Sequence, residues 1–191
     1  MPYLMDRSER VDRVAAAAVH VIETEGLGAL SVRRIAGVLN LNPSTLLAHL
    51  TDKTRIVGLV ISRVGDQLVS SLRGAAVRRG APALVLDSET LRLARAWLAL
   101  VEMARADDVL GAIVAAREVD LGRAIGAVAG LSAHDALTRD VVVCAVSGLW
   151  AARTARCDPM PAERAEEVLR HLLRALGLPT EPPGHREDAA G

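Results

Sequence analysis

The part of the sequence that most limits the fold is residues 31–53, where signals for helix starts and stops follow one another closely. Ser31 precedes apolar residues at helical spacing, so it predicts the cap of a short helix. Asn40 is predicted to end this helix, because asparagine tolerates the left-handed conformation that a sharp turn requires. Asn42 and Pro43 predict the start of another helix, since asparagine is a good cap and proline needs no N–H at the first helical position.

The spacing of apolar residues predicts how these short helices pack. In the first, the inward-facing residues are Val32, Ile35, Ala36 and Leu39. We expect the side chain of Leu41 to be buried and to fill the inside of the turn, and Leu46 and Leu50 to face the core. Thr51 or Asp52 predicts the cap of a further helix that extends into the seventies.

The rest of the chain is also predicted to be helical, because apolar residues recur at helical spacing and alternating strand patterns are few. Hydrophobic residues make up 51% of the sequence, with no Phe, one Tyr and two Trp, so the core must be aliphatic. We therefore predict an all-α fold. The other predicted helices cover residues 9–25, 88–105, 109–130 (two helices or one kinked helix, because of its glycines), 134–156 and 161–176.

Charge and short motifs exclude several classes of function. The chain has 23 basic and 23 acidic residues, so a nucleic-acid contact has to come from a local patch. We find no nucleophile elbow, phosphate-binding glycine loop or HExxH motif, and Cys144 and Cys157 lack metal-ligand spacing. We therefore expect no enzyme activity, cofactor or metal. The sequence also lacks a signal-peptide pattern and a run of transmembrane length, which predicts a cytoplasmic protein with no membrane partner.

Two short helices joined by a tight turn make a helix-turn-helix, whose second helix lies in the major groove of DNA. On that helix Ser44 and Thr45 can donate to bases or phosphates, and the Thr45 methyl can touch a thymine methyl. Lys53 adds an independent argument, because a cation in the first turn of a helix is unfavourable unless an anion such as phosphate occupies the helix end. The pattern thus predicts DNA binding.

Residues 26–60 resemble the N-terminal DNA-binding domain of TetR-type transcriptional regulators. The resemblance rests on Gly26, Ser31, Ile35, Ala36, Thr45, Leu46, His49 and Lys53. Two positions depart from the family pattern: Leu47 replaces the usual aromatic residue and Leu50 the usual Phe. The first departure removes a hydroxyl that could bind phosphate, which would shift this role to His49, Lys53 and Arg33. The remainder of the chain matches in length, helical content and helix order.

The resemblance implies a three-helix helix-turn-helix domain at 1–52 and a helical effector-binding and dimerisation domain at 53–178. The polar, proline-rich composition of residues 179–191 predicts a disordered tail. The resemblance also implies a homodimer that binds a palindromic DNA operator and responds to a small-molecule effector of unknown identity. Residues expected to contact DNA are Ser31, Arg33, Asn42, Pro43, Ser44, Thr45, Leu47, His49 and Lys53. The residues considered for the effector pocket are Trp97, Met103, Arg117, Glu118 and Trp150.

Two apolar stripes near the end of the chain agree with a homodimer. The first consists of Leu137, Val141, Cys144, Ala145 and Gly148, and the second of Val168, Leu169, Leu172, Leu173 and Leu176. Together they exceed what one small core needs, although both could pack within one protomer.

Alternatives remain at several positions. Ser31 and Asn42 can act as helix caps alone, His49 as a packing residue and Arg33 as part of a solvated face. Each pocket residue could instead belong to the core or the surface. The alternative function is a protein of the same fold that binds small molecules or protein partners and has weakened or lost operator binding.

Overall fold

The computed structural model describes residues 7–49, 53–131, 136–155 and 157–180, with the backbone alone at residues 7, 8, 10, 47–49 and 53. Every regular element in these ranges is a helix, which confirms the predicted all-α fold. The α-helices are α1 (Arg7–Glu25), α2 (Val32–Val38), α3 (Pro43–His49), α4 (Lys53–Arg79), α5 (Ser88–Ala104), α6 (Asp108–Val128), α7 (Ala136–Arg153) and α8 (Ala162–Ala175).

Most helix boundaries lie within a few residues of the sequence prediction, and three features differ from it. The glycine-containing segment, predicted as two helices or one kinked helix, is the single helix α6, which excludes the two-helix alternative. Two short 3-10 turns, Leu27–Ala29 and Ala81–Val85, were not predicted. The expectation for Leu41 was wrong, because its side chain is 43% exposed. Leu50, Thr51 and Asp52 lie outside the described residues.

The described chain divides into two compact units, and three of the helices contribute to both. One unit holds the chain up to Asp66 together with Ala96–Arg117, and the other holds Gln67–Arg95 together with the chain from Glu118 onward. The division into domains at residue 52 and a tail from residue 179 stays a prediction.

The first unit is built on α1, α2 and α3, the first part of α4, the last part of α5 and the first part of α6. Ile35, Ala36 and Leu46 are buried at 4% exposure or less, as the spacing predicted. Val32 and Leu39, which were also predicted to face inward, are half-buried. Gly58 of α4 lies against α6, and a Cβ there would stand 2.7 Å from the Ile113 Cδ1 atom. The absence of a side chain at this glycine lets α4 and α6 approach closely.

The second unit packs α7 and α8 against the connection between α4 and α5. Its core contains Trp150, Leu169 and Leu173, each at 2% exposure or less. The connection itself is buried although it is not an α-helix, so its backbone polar groups need partners within the protein.

Candidate nucleic-acid interface

The first helix of the candidate interface is fixed at its start by a side-chain cap. Ser31 has extended backbone dihedrals, and its Oγ accepts the backbone N–H of Arg34 at 3.2 Å. This satisfies one of the N–H groups that a helix start leaves without a partner. The predicted capping role of Ser31 is confirmed, and its predicted DNA contact stays a prediction.

The turn between α2 and α3 is a helix-ending motif built on asparagine. Asn40 adopts the left-handed conformation with φ 53°, as predicted. Its N–H donates to the Gly37 carbonyl at 3.2 Å, and the N–H of Leu41 reaches back to the Ala36 carbonyl at 2.9 Å. This pair of hydrogen bonds is the Schellman motif. It gives the Ala36 and Gly37 carbonyls near the end of α2 hydrogen-bond partners and sets the direction in which the chain continues to α3.

The start of α3 is fixed by Asn42. The Asn42 Oδ1 atom accepts the backbone N–H of Ser44 at 3.1 Å and the Ser44 hydroxyl at 2.9 Å. Pro43 occupies the first helical position, where the missing N–H costs nothing. Because the Ser44 hydroxyl donates to Asn42, this oxygen can serve DNA only as an acceptor while the cap is in place.

The described residues at the start of α3 that face away from the core are uncharged and have short side chains. Asn42, Pro43, Ser44 and Thr45 are all exposed, whereas Leu46 is 4% exposed and packs inward. The predicted DNA-contacting residues of this helix that the structure describes in full therefore lie together at its exposed start. The side chains of Leu47, His49 and Lys53 lie outside the description, and Lys53 is the first residue of α4, as predicted from its position.

The two arginines of α2 have different surroundings. The Arg34 Nε atom donates to both carboxylate oxygens of Glu25 at 2.8 Å, and its Nη2 atom lies 2.7 Å from Glu25 Oε1. The hydrogen bond with Arg34 lowers the pKa of Glu25, and the same bond raises the pKa of Arg34. Arg33 is exposed, and among the described residues it has no such partner.

This difference between neighbouring arginines distinguishes a residue held within the protein from one whose charge is exposed. The forked contact holds Arg34 between the end of α1 and the start of α2, so this residue stabilises the helix-turn-helix. Arg33 remains available as a cation on the outside. The Glu25–Arg34 pair was not predicted, because its members are nine residues apart and on different helices.

A cavity of about 610 Å³ opens in the first unit beside the first turns of α4. Its lining mixes apolar, hydroxyl and charged side chains, namely Thr54, Arg55, Gly58, Leu59, Ser62, Asp107, Val109 and Ile113. The Asp107 carboxylate is already used as a cap, because it accepts the N–H groups of Val109 and Leu110 at 3.0 and 3.1 Å. None of the five residues predicted for the effector pocket lines this cavity.

The five residues predicted for the effector pocket have different environments. Trp97 and Trp150 are buried at 4% and 1% exposure, and the Trp150 indole N–H donates to the Leu84 carbonyl at 2.8 Å. Arg117 pairs with Asp66 at 2.7 Å. Met103 is half-buried and Glu118 is exposed. An effector pocket at these residues stays a prediction.

The predicted subunit interface on α7 is an exposed apolar face. Leu137 is 77% exposed and Val141 is 41% exposed, and Cys144 and Gly148 continue the exposed line along the helix. Ala145 beside them is half-buried. These residues recur at three- and four-residue intervals, which places them in one narrow stripe.

The predicted interface on α8 is divided between surface and core. Val168 is 37% exposed, and Leu172 and Leu176 are half-buried. Leu169 and Leu173 are 2% and 1% exposed, so they pack in the core of their own protomer rather than on its surface. The sequence pattern could not separate the two groups, because adjacent apolar residues at positions 168–169 and 172–173 give a wide apolar face.

Comparisons with known proteins find relatives by structure only. No model of a protein family matches the sequence, and no curated protein matches it. A transcriptional regulator from Rhodococcus sp. Rha1 is 23% identical, with a TM-score of 0.71 over 88% of this chain and 97% of its own. A protein described as a TetR-family transcriptional regulator from Rhodococcus sp. is 21% identical, with a TM-score of 0.65 over 89% and 97%.

A ligand-bound structure is also among the similar proteins. The multidrug binding protein EbrR complexed with ethidium is 18% identical, with a TM-score of 0.66 over 86% of this chain and 98% of its own. This chain therefore has the fold of TetR-family transcriptional regulators. Among the helices that the structure describes, none is long and apolar enough to cross a membrane.

Proposed function

We propose that the protein is a ligand-responsive transcriptional regulator that acts as a repressor and binds a palindromic DNA operator as a homodimer. The observation that carries this proposal is the start of α3. The Asn42 cap and the left-handed Asn40 fix the start of this helix, while Asn42, Ser44 and Thr45 are exposed. A short helix that is held from its inner side and bears small polar groups outside can enter a major groove.

The contacts to DNA have separate roles in this proposal. Thr45 presents a hydroxyl and a methyl group to base edges, so it contributes to the choice of sequence. Arg33, together with Lys53 at the start of α4, binds phosphates, which supply affinity without reading sequence. Ser31, Pro43, Leu47 and His49 complete the proposed DNA-binding surface.

The homodimer is supported by the exposed apolar stripe on α7. Leu137 and Val141 present branched aliphatic side chains to solvent, and Gly148 is open on its outer side, with nothing within 4 Å of an added Cβ. Contiguous exposed apolar surface is typical of an interaction site. A two-fold dimer relates its two copies of α3 by symmetry and therefore favours a palindromic operator.

An effector is supported by the similarity to EbrR, whose structure contains ethidium. The proposed effector site comprises Trp97, Met103, Arg117, Glu118 and Trp150, of which Met103, Arg117 and Glu118 are not fully buried. No metal or organic cofactor is part of the proposal.

The proposal is tested by measuring binding of the purified protein to its selected operator by fluorescence anisotropy at several salt concentrations. Thr45→Val keeps the shape of the side chain and removes the hydroxyl, so we expect altered preference among operator variants with little change in salt dependence. Lys53→Ala should weaken binding to all sequences alike and reduce the salt slope by about one for each phosphate that is no longer neutralised. Unchanged binding in both variants would exclude the proposed DNA-binding surface.

The alternative function is a small-molecule-binding or interaction protein of the same fold with weakened or lost operator binding. One observation favours it, the ion pair between Arg34 and Glu25. This pair leaves Arg33 as the freely available cation of α2, so phosphate binding by the described part of the interface is weak for a regulator. If no DNA sequence binds better than random duplex, the protein is a small-molecule-binding or interaction protein that keeps this fold.

A further inference from the structure

The connection between α4 and α5 is a buried strap of six residues, 81–86. The strap contains a 3-10 turn and is bounded by Gly80, with φ 61°, and by Leu86, with φ 58°. Leu84 and Val85 are 0% and 1% exposed. A positive φ is unfavourable for leucine, because its side chain clashes with the backbone. Such a conformation persists in a non-glycine residue only where the surrounding structure holds it in place.

Three consecutive carbonyls of the strap are held by two side chains of α7. The Trp150 indole N–H donates to the Leu84 carbonyl at 2.8 Å. The Arg153 Nη1 atom donates to the Leu86 carbonyl at 2.8 Å and also to the Val85 carbonyl. A buried carbonyl without a partner is costly, so these bonds fasten the strap to α7.

The attachment by Arg153 is incomplete. Its Nε atom is buried and has no hydrogen-bond partner among the described residues. A guanidinium is best satisfied by a forked pair with a carboxylate, and here it binds backbone carbonyls instead. Burial lowers the pKa of Arg153, and Glu166 is the carboxylate that most opposes this shift.

Glu166 is occupied by another arginine. Arg79, the last residue of α4, places its Nη2 atom 3.2 Å from Glu166 Oε1, and both side chains are 36% exposed. An ion pair of this exposure and length is weak and exchangeable. The strap follows Arg79 in the chain by two residues and packs against both α7 and α8, so Arg153 and Glu166 lie on the two helices that contact it.

We propose that Arg153 is a two-position latch, which fastens the strap to α7 when it donates to the Val85 and Leu86 carbonyls and releases it when it pairs with Glu166. Arg79 keeps the latch closed because it occupies Glu166. Release exposes the strap carbonyls and lets Leu86 relax from its left-handed conformation. Since α7 also carries the exposed apolar stripe, the latch controls how firmly the α4–α5 connection is attached to the proposed dimerisation helix.

Hydrogen exchange of the full-length protein, read by mass spectrometry in peptides covering the strap, tests the latch. Glu166→Gln removes the alternative partner of Arg153, so strap amides should exchange about two- to fivefold more slowly. Arg79→Gln frees Glu166 for Arg153, so the same amides should exchange about two- to fivefold faster. Both variants break the Arg79–Glu166 ion pair, so loss of that pair alone would change strap exchange in the same direction. Opposite changes in exchange are expected only if Arg153 switches between the strap and Glu166.

A static ion pair predicts a different pattern. If Arg79 and Glu166 only hold the end of α4 to α8, both substitutions speed exchange, and this result overturns the proposal, as would no change in either. Arg164→Gln breaks a surface pair with Glu167 on α8 and should leave the strap unaffected. An equal effect of this control would also overturn the latch. Arg153→Met should speed strap exchange at least about tenfold, and the other two variants decide the question if it does not fold.

Discussion

Arg33 and Arg34 are adjacent, and their surroundings predict opposite consequences for DNA binding. Arg34 is held by Glu25 through contacts of 2.7 and 2.8 Å, whereas Arg33 is exposed and has no partner in the described ranges. Arg33→Ala should therefore remove a phosphate-binding cation. Arg34→Ala should loosen the junction of α1 and α2 and leave the number of neutralised phosphates unchanged.

The size of the effect follows from the number of phosphates neutralised. A homodimer carries two copies of Arg33, and each neutralised phosphate contributes about 0.9 to the slope of log affinity against log salt. Arg33→Ala should lower the magnitude of this slope by about 1.8, which corresponds to roughly 60-fold weaker binding at about 0.1 M salt. Arg34→Ala should leave the slope within error and lower the midpoint of urea unfolding.

Anisotropy titrations with the selected operator at four or more salt concentrations measure both slopes side by side. Arg105→Ala, at an exposed residue outside the proposed DNA-binding surface and both apolar stripes, serves as the matched control for the removal of one arginine. If Arg34→Ala lowers the slope as much as Arg33→Ala, the distinction between the two residues is refuted. A slope unchanged in Arg33→Ala would remove this residue from the proposed DNA-binding surface.

Three further predictions concern the dimer, the turn and the pH dependence. Val141→Asp should weaken self-association in sedimentation at least about tenfold because it places a charge in the apolar stripe, whereas Val77→Asp, at an isolated position that is 87% exposed, should not. Asn40→Ala should cost about 1 kcal/mol in urea unfolding and Asn40→Gly should be neutral or stabilising; equal losses would contradict a left-handed residue 40. Glu25 has a lowered pKa in the folded protein, so its contribution is present above the ordinary value of 4.5 and is lost as pH falls through the lowered one. Glu25→Gln should therefore reduce the acid dependence of thermal unfolding, and an unchanged pH profile would show that the pair adds nothing to stability.

The features predicted correctly from the sequence depend on the chemistry of a few adjacent residues. Ser31, Asn40 and Asn42 act on backbone groups within five residues of themselves, so their roles as caps and turn could be inferred without a structure. The helices could be predicted from the spacing of apolar residues, because this spacing compares residues only three or four positions apart.

The features that were missed depend on contacts between distant parts of the chain. The strap has no periodic pattern, and its carbonyls are satisfied by Trp150 and Arg153, which lie more than 60 residues away. Leu41 was expected to be buried because it is apolar. The turn is held by backbone hydrogen bonds, so it does not require a buried side chain at this position. Leu169 and Leu173 belong to the core because of the way α8 packs, which a stripe of leucines does not specify.

In the proposed homodimer, the exposed start of α3 reads a palindromic DNA sequence. Selection of binding sites from a random duplex pool by the purified full-length protein, at near-physiological salt, tests it most directly. We predict enrichment of one palindromic motif, and disappearance of that enrichment when Val141→Asp dissociates the dimer. Failure to enrich any motif, repeated after removal of co-purified ligand, would contradict the claim and favour a small-molecule-binding or interaction protein with the same fold.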